Sequence, residues 1–396
     1  MGRKDTQDIA GDAADTTRSG SANTLNRVGS TPATATNTAC AGRDHRVDSL
    51  RGLMLATMMI DHLGGPLEHL TFEPFGYASA AEGFVFLSGY MYALVYVRRA
   101  SSSMMLVRQS LRRAGLIYRH HALALSLLVG LACFSPALIH YWSFEALIVH
   151  PLSWSTASML LVNTPTFFDI LPMYVVFVAL TPALIPWLRY RAGPALVLGG
   201  SLALWGLGRT SDPVGALDSF FIAELRTPFF NLLSWQLVWV LGLLLGIYRD
   251  AIQQRVHRTP TWLFVGPALF IAVLCLTRHE VLGLSLSPAA VTRDDLGWLR
   301  ILDFAGVLVI AAWLMTRVPV SARLPWFASL GQASIQVFTF HLFIVYFTLL
   351  VGWHIRAFGP VIYGAYTLVC LGSLTIPAYL WRWQRQRRRT RRSSPA

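Results

Sequence analysis

The chain has 396 residues, of which 54% are hydrophobic and only 13% charged, and its formal net charge is +13. This balance excludes a soluble globular domain and indicates a chain that crosses a membrane many times. The cations are arginines, apart from Lys4, and fall between apolar runs, so membrane topology rather than nucleic-acid binding accounts for them.

Residues 1–42 are rich in Ser, Thr, Ala, Asn and Gly with no apolar run after the first charges, and read as a disordered tail rather than a signal peptide. Residues 43–381 carry ten apolar stretches, roughly 47–64, 79–97, 119–139, 168–188, 194–208, 231–249, 261–277, 299–316, 331–351 and 358–381. The expected fold is an all-α polytopic membrane protein, with about ten transmembrane helices enclosing a central cavity. The stretch 142–162 holds Trp142, Glu145, His150 and Trp154 and reads as interfacial. Residues 382–396 form a basic tail suited to anionic lipid headgroups. Cys40, Cys133, Cys275 and Cys370 form no C-x-x-C pair or other metal-ligand pattern, so no metal is expected, and they read as apolar fillers.

Loop charges set the orientation. Arg98, Arg99, Arg108, Arg112, Arg113 and Arg119, then Arg189 and Arg191, then Arg249, Arg255 and Arg258, then Arg317 and Arg323 fall in one set of loops, together with the basic tail. The alternate loops 65–78 and 140–167 have no Lys or Arg, and the others hold only Arg209, Arg226, Arg278, Arg293 and Arg356. Both termini are therefore expected in the cytoplasm.

The first stretch, RDHRVDSLRGLMLATMMIDH, carries Asp48, Arg51, Asp61 and His62 in an otherwise apolar run. Each charge near mid-bilayer costs roughly 2.5–3.5 kcal/mol on insertion scales, so this helix is not expected to face lipid all round. Arg51 and His62 are eleven residues apart. At 100° per residue that is three turns plus about 20°, which places both on one face. Asp48, one turn before Arg51, is able to pair with it. In the second stretch, SAAEGFVFLSGYMYALVYVRR, Glu82 lies at the depth of Asp61 and His62. A carboxylate beside an imidazole orients it and raises its basicity, so Asp61 and Glu82 are candidate partners of His62. Tyr90 follows deeper, beside the small residues Ser88 and Gly89 that permit close helix packing. In the ninth stretch, LGQASIQVFTFHLFIVYF, His341 lies near the middle and is a candidate to line the same cavity. Asp169 and Tyr174 open FFDILPMYVVFVALTP, and Trp235 and Gln236 lie in FNLLSWQLVWVLG, all at the outer ends of their stretches and candidates for an acceptor-side cavity. On the inner side, the spacing of Arg108, Arg112 and Arg119 keeps them near one face of a helix, an arrangement that suits a polyphosphate.

Taken together, these stretches resemble the OpgC family, within the transmembrane acyltransferase superfamily that includes the type 3 acyltransferases. The resemblance covers essentially residues 43–381 and includes the superfamily's Arg-x10-His motif at Arg51 and His62. It implies a multi-pass bacterial inner-membrane enzyme that adds succinyl groups to osmoregulated periplasmic glucans. It implies succinyl-CoA or another acyl-CoA as a cytoplasmic cosubstrate, with no permanently bound cofactor. It also implies a catalytic role for His62 and a donor-side role for Arg51. The expected partners are membrane lipid, the acyl-CoA donor and the glucan acceptor, with no nucleic acid. His62 then acts as general base on a sugar hydroxyl or forms a transient acyl-imidazole, two routes that the residues do not separate. The competing readings are a transporter or proton-coupled channel using Arg51, Glu82, His62 and His341, and a non-catalytic membrane scaffold. The absence of an evident internal repeat disfavours the transporter.

Overall fold

The computed structural model describes residues 44–220, 229–319, 322 and 324–393, and among these every regular element is a helix. The tail expected over 1–42 and the loop residues Arg226 and Arg323 lie outside the described residues. The principal helices are α1 (His45–Leu63), α2 (Ala80–Val95), α3 (Ser103–Ala132), α4 (Ile170–Leu184), α5 (Gly193–Gly208), α6 (Leu232–Ile247), α7 (Val265–Arg278), α8 (Trp298–Arg317), α9 (Pro325–Gln332), α10 (Ser334–Arg356), α11 (Pro360–Ser373) and α12 (Thr375–Ser393).

Among the described residues, six helical segments are long and apolar enough to cross a membrane: Ala80–Arg99, Ser103–Ala132, Thr261–Arg278, Trp298–Arg317, Ser334–Arg356 and Pro360–Arg388. A seventh arises if α6 and the helix Arg249–Arg258, which meet at an 80° bend, count as one span. The remaining expected crossings fall on α1, which holds Arg46, Asp48, Arg51 and Asp61, and on α4 and α5, of 15 and 16 residues. At 1.5 Å per residue those two reach only about 24 Å, short of a hydrocarbon core of about 30 Å.

One departure from expectation has a local cause. α3 starts at Ser103, well before residue 119, because the Ser102 hydroxyl caps it by accepting from the Met105 N–H at 3.1 Å. Arg108, Arg112, Arg113 and Arg119 therefore lie on α3 itself, in keeping with the helical spacing of Arg108, Arg112 and Arg119. The stretch 142–162 forms no span: it holds the short helices Glu145–Val149 and Pro151–Met159, with Ile148, Val149 and Leu152 exposed, as an interfacial segment would. Trp142, Phe144 and Trp154 are buried, and the Trp142 indole donates to the Tyr346 carbonyl of α10 at 2.9 Å.

Small residues set the closest approaches. A Cβ on Gly52 of α1 would lie 1.8 Å from the Phe327 carbonyl oxygen, and one on Gly331 1.9 Å from that of Asp48, so α1 and α9 touch backbone to backbone. Gly89 and Gly242 do the same for α2 and α6, with added Cβ atoms 2.4 Å from the Trp239 oxygen and 2.1 Å from the Phe86 oxygen. α1 packs most closely on α9 and also contacts α2 and α10.

The start of α1 is fixed by charge. Asp44 is its N-cap and accepts from the Arg46 N–H at 3.1 Å, Arg46 Nε and Nη2 at 3.0 Å, and Arg249 Nη2 at 2.7 Å. Arg46 Nη1 also donates to the Met315 and Val318 carbonyls of α8 and its exit, at 2.6 and 2.7 Å. Burial pushes the Asp44 carboxyl up, but Arg46 and Arg249 more than offset this and hold it below the usual carboxylate range. Its contribution to stability is therefore complete above the unfolded carboxyl value of about 3.9 and is lost as pH falls through the lower folded value. Asp44→Asn keeps a capping oxygen and loses the charge, so its melting temperature in detergent should vary less with pH in that window. Asp44→Ala should lose in addition about 0.5–2 kcal/mol of capping free energy. Equal melting temperatures for all three proteins at pH 7 would show that the cap contributes nothing.

Candidate functional site

α1 turns the face shared by Arg51 and His62 toward α9 and α10. Arg51 donates through Nη2 to the Ser334 hydroxyl at 2.6 Å and through Nη1 to the Gly331 carbonyl at 3.4 Å. Further along the same face, His62 Nδ1 lies 2.9 Å from His341 Nε2. The His341 ring is 1% exposed, whereas His62 is only partly buried. His341 Nδ1 lies 3.3 Å from the Phe338 carbonyl oxygen. Phe167 packs on the His62 ring at 4.5 Å, and Phe338 lies beside His341 at 5.3 Å. Phe338 continues into Phe84 at 6.0 Å and Phe84 into Tyr174 at 5.7 Å, an aromatic wall on the α2 and α4 side.

The hydrogen bonds select a tautomer. A backbone carbonyl only accepts, so His341 carries its proton on Nδ1 when it bonds to Phe338. Neutral His341 then offers a lone pair on Nε2, which accepts the Nδ1 proton of His62. His62 Nε2 is left unprotonated, so the ring edge remote from His341 is a base.

Neither candidate carboxylate touches the His62 ring. Asp61 Oδ1 accepts from the Thr71 hydroxyl at 2.6 Å. Glu82, fully buried, closes a capping box with Ser79 at the start of α2 and accepts from Arg300 Nη1 at 2.6 Å. The partner of His62 is instead an imidazole on α10.

The other expected residues separate. Arg108, Arg112 and Arg119 lie on the exposed face of α3, because its buried stripe runs through Leu106, Ser110, Ala114, Ile117 and His121. Tyr90 lines a cavity of about 220 Å³ with Met54, Phe86, Leu245, Arg249 and Phe304, apart from His62. Tyr174 donates to the Phe84 carbonyl at 2.9 Å and lies 3.1 Å from the Ser88 hydroxyl, tying α4 to α2. Gln236 bonds to the hydroxyl and carbonyl of Ser201, both at 2.7 Å, and so joins α6 to α5. Asp169 accepts from the Phe229 N–H at 2.7 Å and the Thr164 hydroxyl at 3.0 Å. The Trp235 indole donates to the Arg293 and Asp294 carbonyls at 3.0 and 3.1 Å.

One assembly escaped the sequence reading. Arg300, 3% exposed in the first turn of α8, pairs with Glu82 and also with Glu73, which accepts from Arg278 Nε at 2.8 Å. Asp303, one turn on, accepts from the Tyr77 and Ala78 N–H groups at 2.6 and 2.9 Å. The segment between α1 and α2 is thereby fastened to α8. The available signal was a charge inside an apolar run, the same one that marks Arg51. Arg300→Ala leaves two buried carboxylates without their common partner, which should destabilise the protein by about 3–5 kcal/mol. Adding Glu82→Gln to it should recover part of that loss. An unchanged melting temperature for Arg300→Ala in detergent would contradict this account.

The family model described as OpgC protein matches residues 43–386, which include α1 through most of α12. No curated protein and no solved structure matches the chain. A match over that much of the sequence settles the family: the chain belongs to the OpgC family.

Proposed function

We propose that this protein is an inner-membrane O-acyltransferase that moves a succinyl group from cytoplasmic succinyl-CoA to hydroxyls of periplasmic glucans, with His62 as general base. The observation that carries the reading is the hydrogen-bond chain from the Phe338 carbonyl through His341 to His62, which leaves a basic nitrogen on a partly exposed ring. Family membership supports acyl transfer as the class of chemistry. In this reading His62 Nε2 takes the proton of a sugar hydroxyl as that oxygen attacks the thioester carbonyl carbon. The carbon–sulfur bond then breaks, and the CoA thiolate leaves with the proton held by His62. His341 keeps the ring in its base-ready tautomer, the role first expected of Asp61 or Glu82. Arg51 stands on the same face as His62, on the donor side. The exposed Arg108, Arg112 and Arg119 fit anionic headgroups at least as well as they fit CoA phosphates.

The reading takes α1, α4, α5 and α6 as crossings too, which makes ten and leaves both termini in the cytoplasm. In favour of α1, the polar groups that bar it from lipid bond to α8, α9, α10 and their flanks. The loop arginines support the orientation. Reporter fusions after Arg191 and Arg258 should read cytoplasm, and one after Trp154 periplasm. A cytoplasmic signal at Trp154 would put the acceptor on the wrong side.

Acyl transfer is tested on purified full-length protein in liposomes, by mass spectrometry of glucan supplied with succinyl-CoA. His62→Gln should reduce transfer by at least ~10²-fold while inserting normally. His341→Ala should reduce it less, and His341→Gln, which restores an acceptor for His62 Nδ1, should recover part of the loss. Only neutral imidazole accepts a proton, so wild-type transfer should fall as pH is lowered. Near wild-type transfer by folded His62→Gln would refute His62 as the base.

A further inference from the structure

Among the described residues, the outer arginines are nearly all engaged. Arg209 pairs with Asp295, Arg278 with Glu73, and Arg300 with Glu73 and Glu82. Arg356 donates to the Leu63 carbonyl at 2.9 Å. Arg293 differs: among the described residues its guanidinium makes no ion pair and donates no hydrogen bond. It lies instead over two rings, Phe72 at 5.4 Å and Phe229 at 5.2 Å, and is partly buried. Ring contacts hold a guanidinium in place and leave its N–H groups free for an anion.

Its position relates it to the histidines. Phe72 follows Thr71, whose hydroxyl bonds to Asp61, and Asp61 is the chain neighbour of His62. The Arg293 charge acts electrostatically on both the His62 ring and the Asp61 carboxylate. The mount is itself hydrogen-bonded to its surroundings. The buried Trp235 indole bonds to the Arg293 carbonyl, and Asp169 accepts from the Phe229 N–H. Two residues expected to face the acceptor thus hold the backbone on either side of this cation.

An unpaired guanidinium near a basic imidazole calls for an anion on one of the reactants. The sugar hydroxyl side of the reaction is neutral, and the CoA phosphates belong to the opposite side of the membrane. The acyl group is what remains. We propose that Arg293 binds a carboxylate at the far end of the acyl group, so that the site selects dicarboxylic acyl donors. This rests on the acyltransferase reading above. The planar guanidinium meets a carboxylate with two parallel hydrogen bonds, a geometry that an ammonium does not reproduce.

The test compares succinyl-CoA with butyryl-CoA, which has the same number of acyl carbons and no carboxylate. Both are supplied to full-length protein in liposomes with a neutral glucan as acceptor. Wild type should prefer succinyl, and Arg293→Gln should lower the succinyl-to-butyryl ratio of kcat/KM by about 10- to 100-fold. Arg293→Lys should fall between the two. Because both rates come from one preparation, the ratio is insensitive to any fraction of misfolded protein. A wild type with no preference, an unchanged ratio in Arg293→Gln, or an equal loss with both donors would each overturn the proposal while leaving acyl transfer intact. A wild type that transfers neither group would instead overturn the acyltransferase reading itself.

Discussion

A helix that carries Asp48, Arg51, Asp61 and His62 among apolar residues cannot present all its sides to hydrocarbon, and the surrounding architecture follows from that constraint. α9 and α10 close on the polar face and supply it with partners: the Gly331 carbonyl, the Ser334 hydroxyl and the His341 ring. The fit is possible because Gly52 and Gly331 let α1 and α9 meet without intervening side chains. A methyl group at either position would separate the helices and pull His62 from His341, so the small residues belong to the site although they take no part in its chemistry.

The polar groups divide into two assemblies with different tasks. Arg300, Glu73, Glu82, Arg278 and Asp303 form a largely buried network in which charges meet opposite charges or backbone N–H groups. Buried pairs of this kind add little net stability over apolar packing, yet they are costly to break singly, which suits a fastening. The histidine pair has the opposite character. It contains no carboxylate, its hydrogen bonds run in one direction from His62 toward Phe338, and it ends at a nitrogen with an open lone pair. In the reaction proposed above, a carboxylate in place of His341 would hold a proton on His62 more tightly and make that ring slower to release it to a leaving group.

Some of this was legible in the sequence for a clear physical reason. The eleven-residue interval between Arg51 and His62 and the length of the apolar runs report helix geometry, which depends on nothing distant. The partner of His62 depends on a contact across 279 positions, so proximity in sequence favoured Asp61 and similar depth favoured Glu82. Arg108, Arg112 and Arg119 were correctly spaced for one helix face, but the alternation of Leu106, Ser110, Ala114, Ile117 and His121 already marked the buried side as a different one. Arg300 stood out by the criterion applied to Arg51. Arg293 did not, because an arginine in the polar run VTRDD is unremarkable until its neighbours in space are known to leave it unpaired.

The ends of α1 show how the His62 ring is held in place. At its start, Asp44, Arg46 and Arg249 tie it to α8 and to the helix after α6. At its end, Gly64 turns the chain with φ of 71°, and the Leu63 carbonyl accepts from the Tyr363 hydroxyl at 2.5 Å and from Arg356. Tyr363 lies on α11 and Arg356 ends α10. His62 is thus one residue from a carbonyl bonded by two neighbouring segments, and its ring is bonded by a third group, His341. The general-base role proposed for His62 depends on holding the ring within a fraction of an ångström of the proton it takes. Anchors at both ends and a glycine contact in the middle restrict sliding and rotation of α1 together, so the position of the His62 ring follows from the packing of the whole helix.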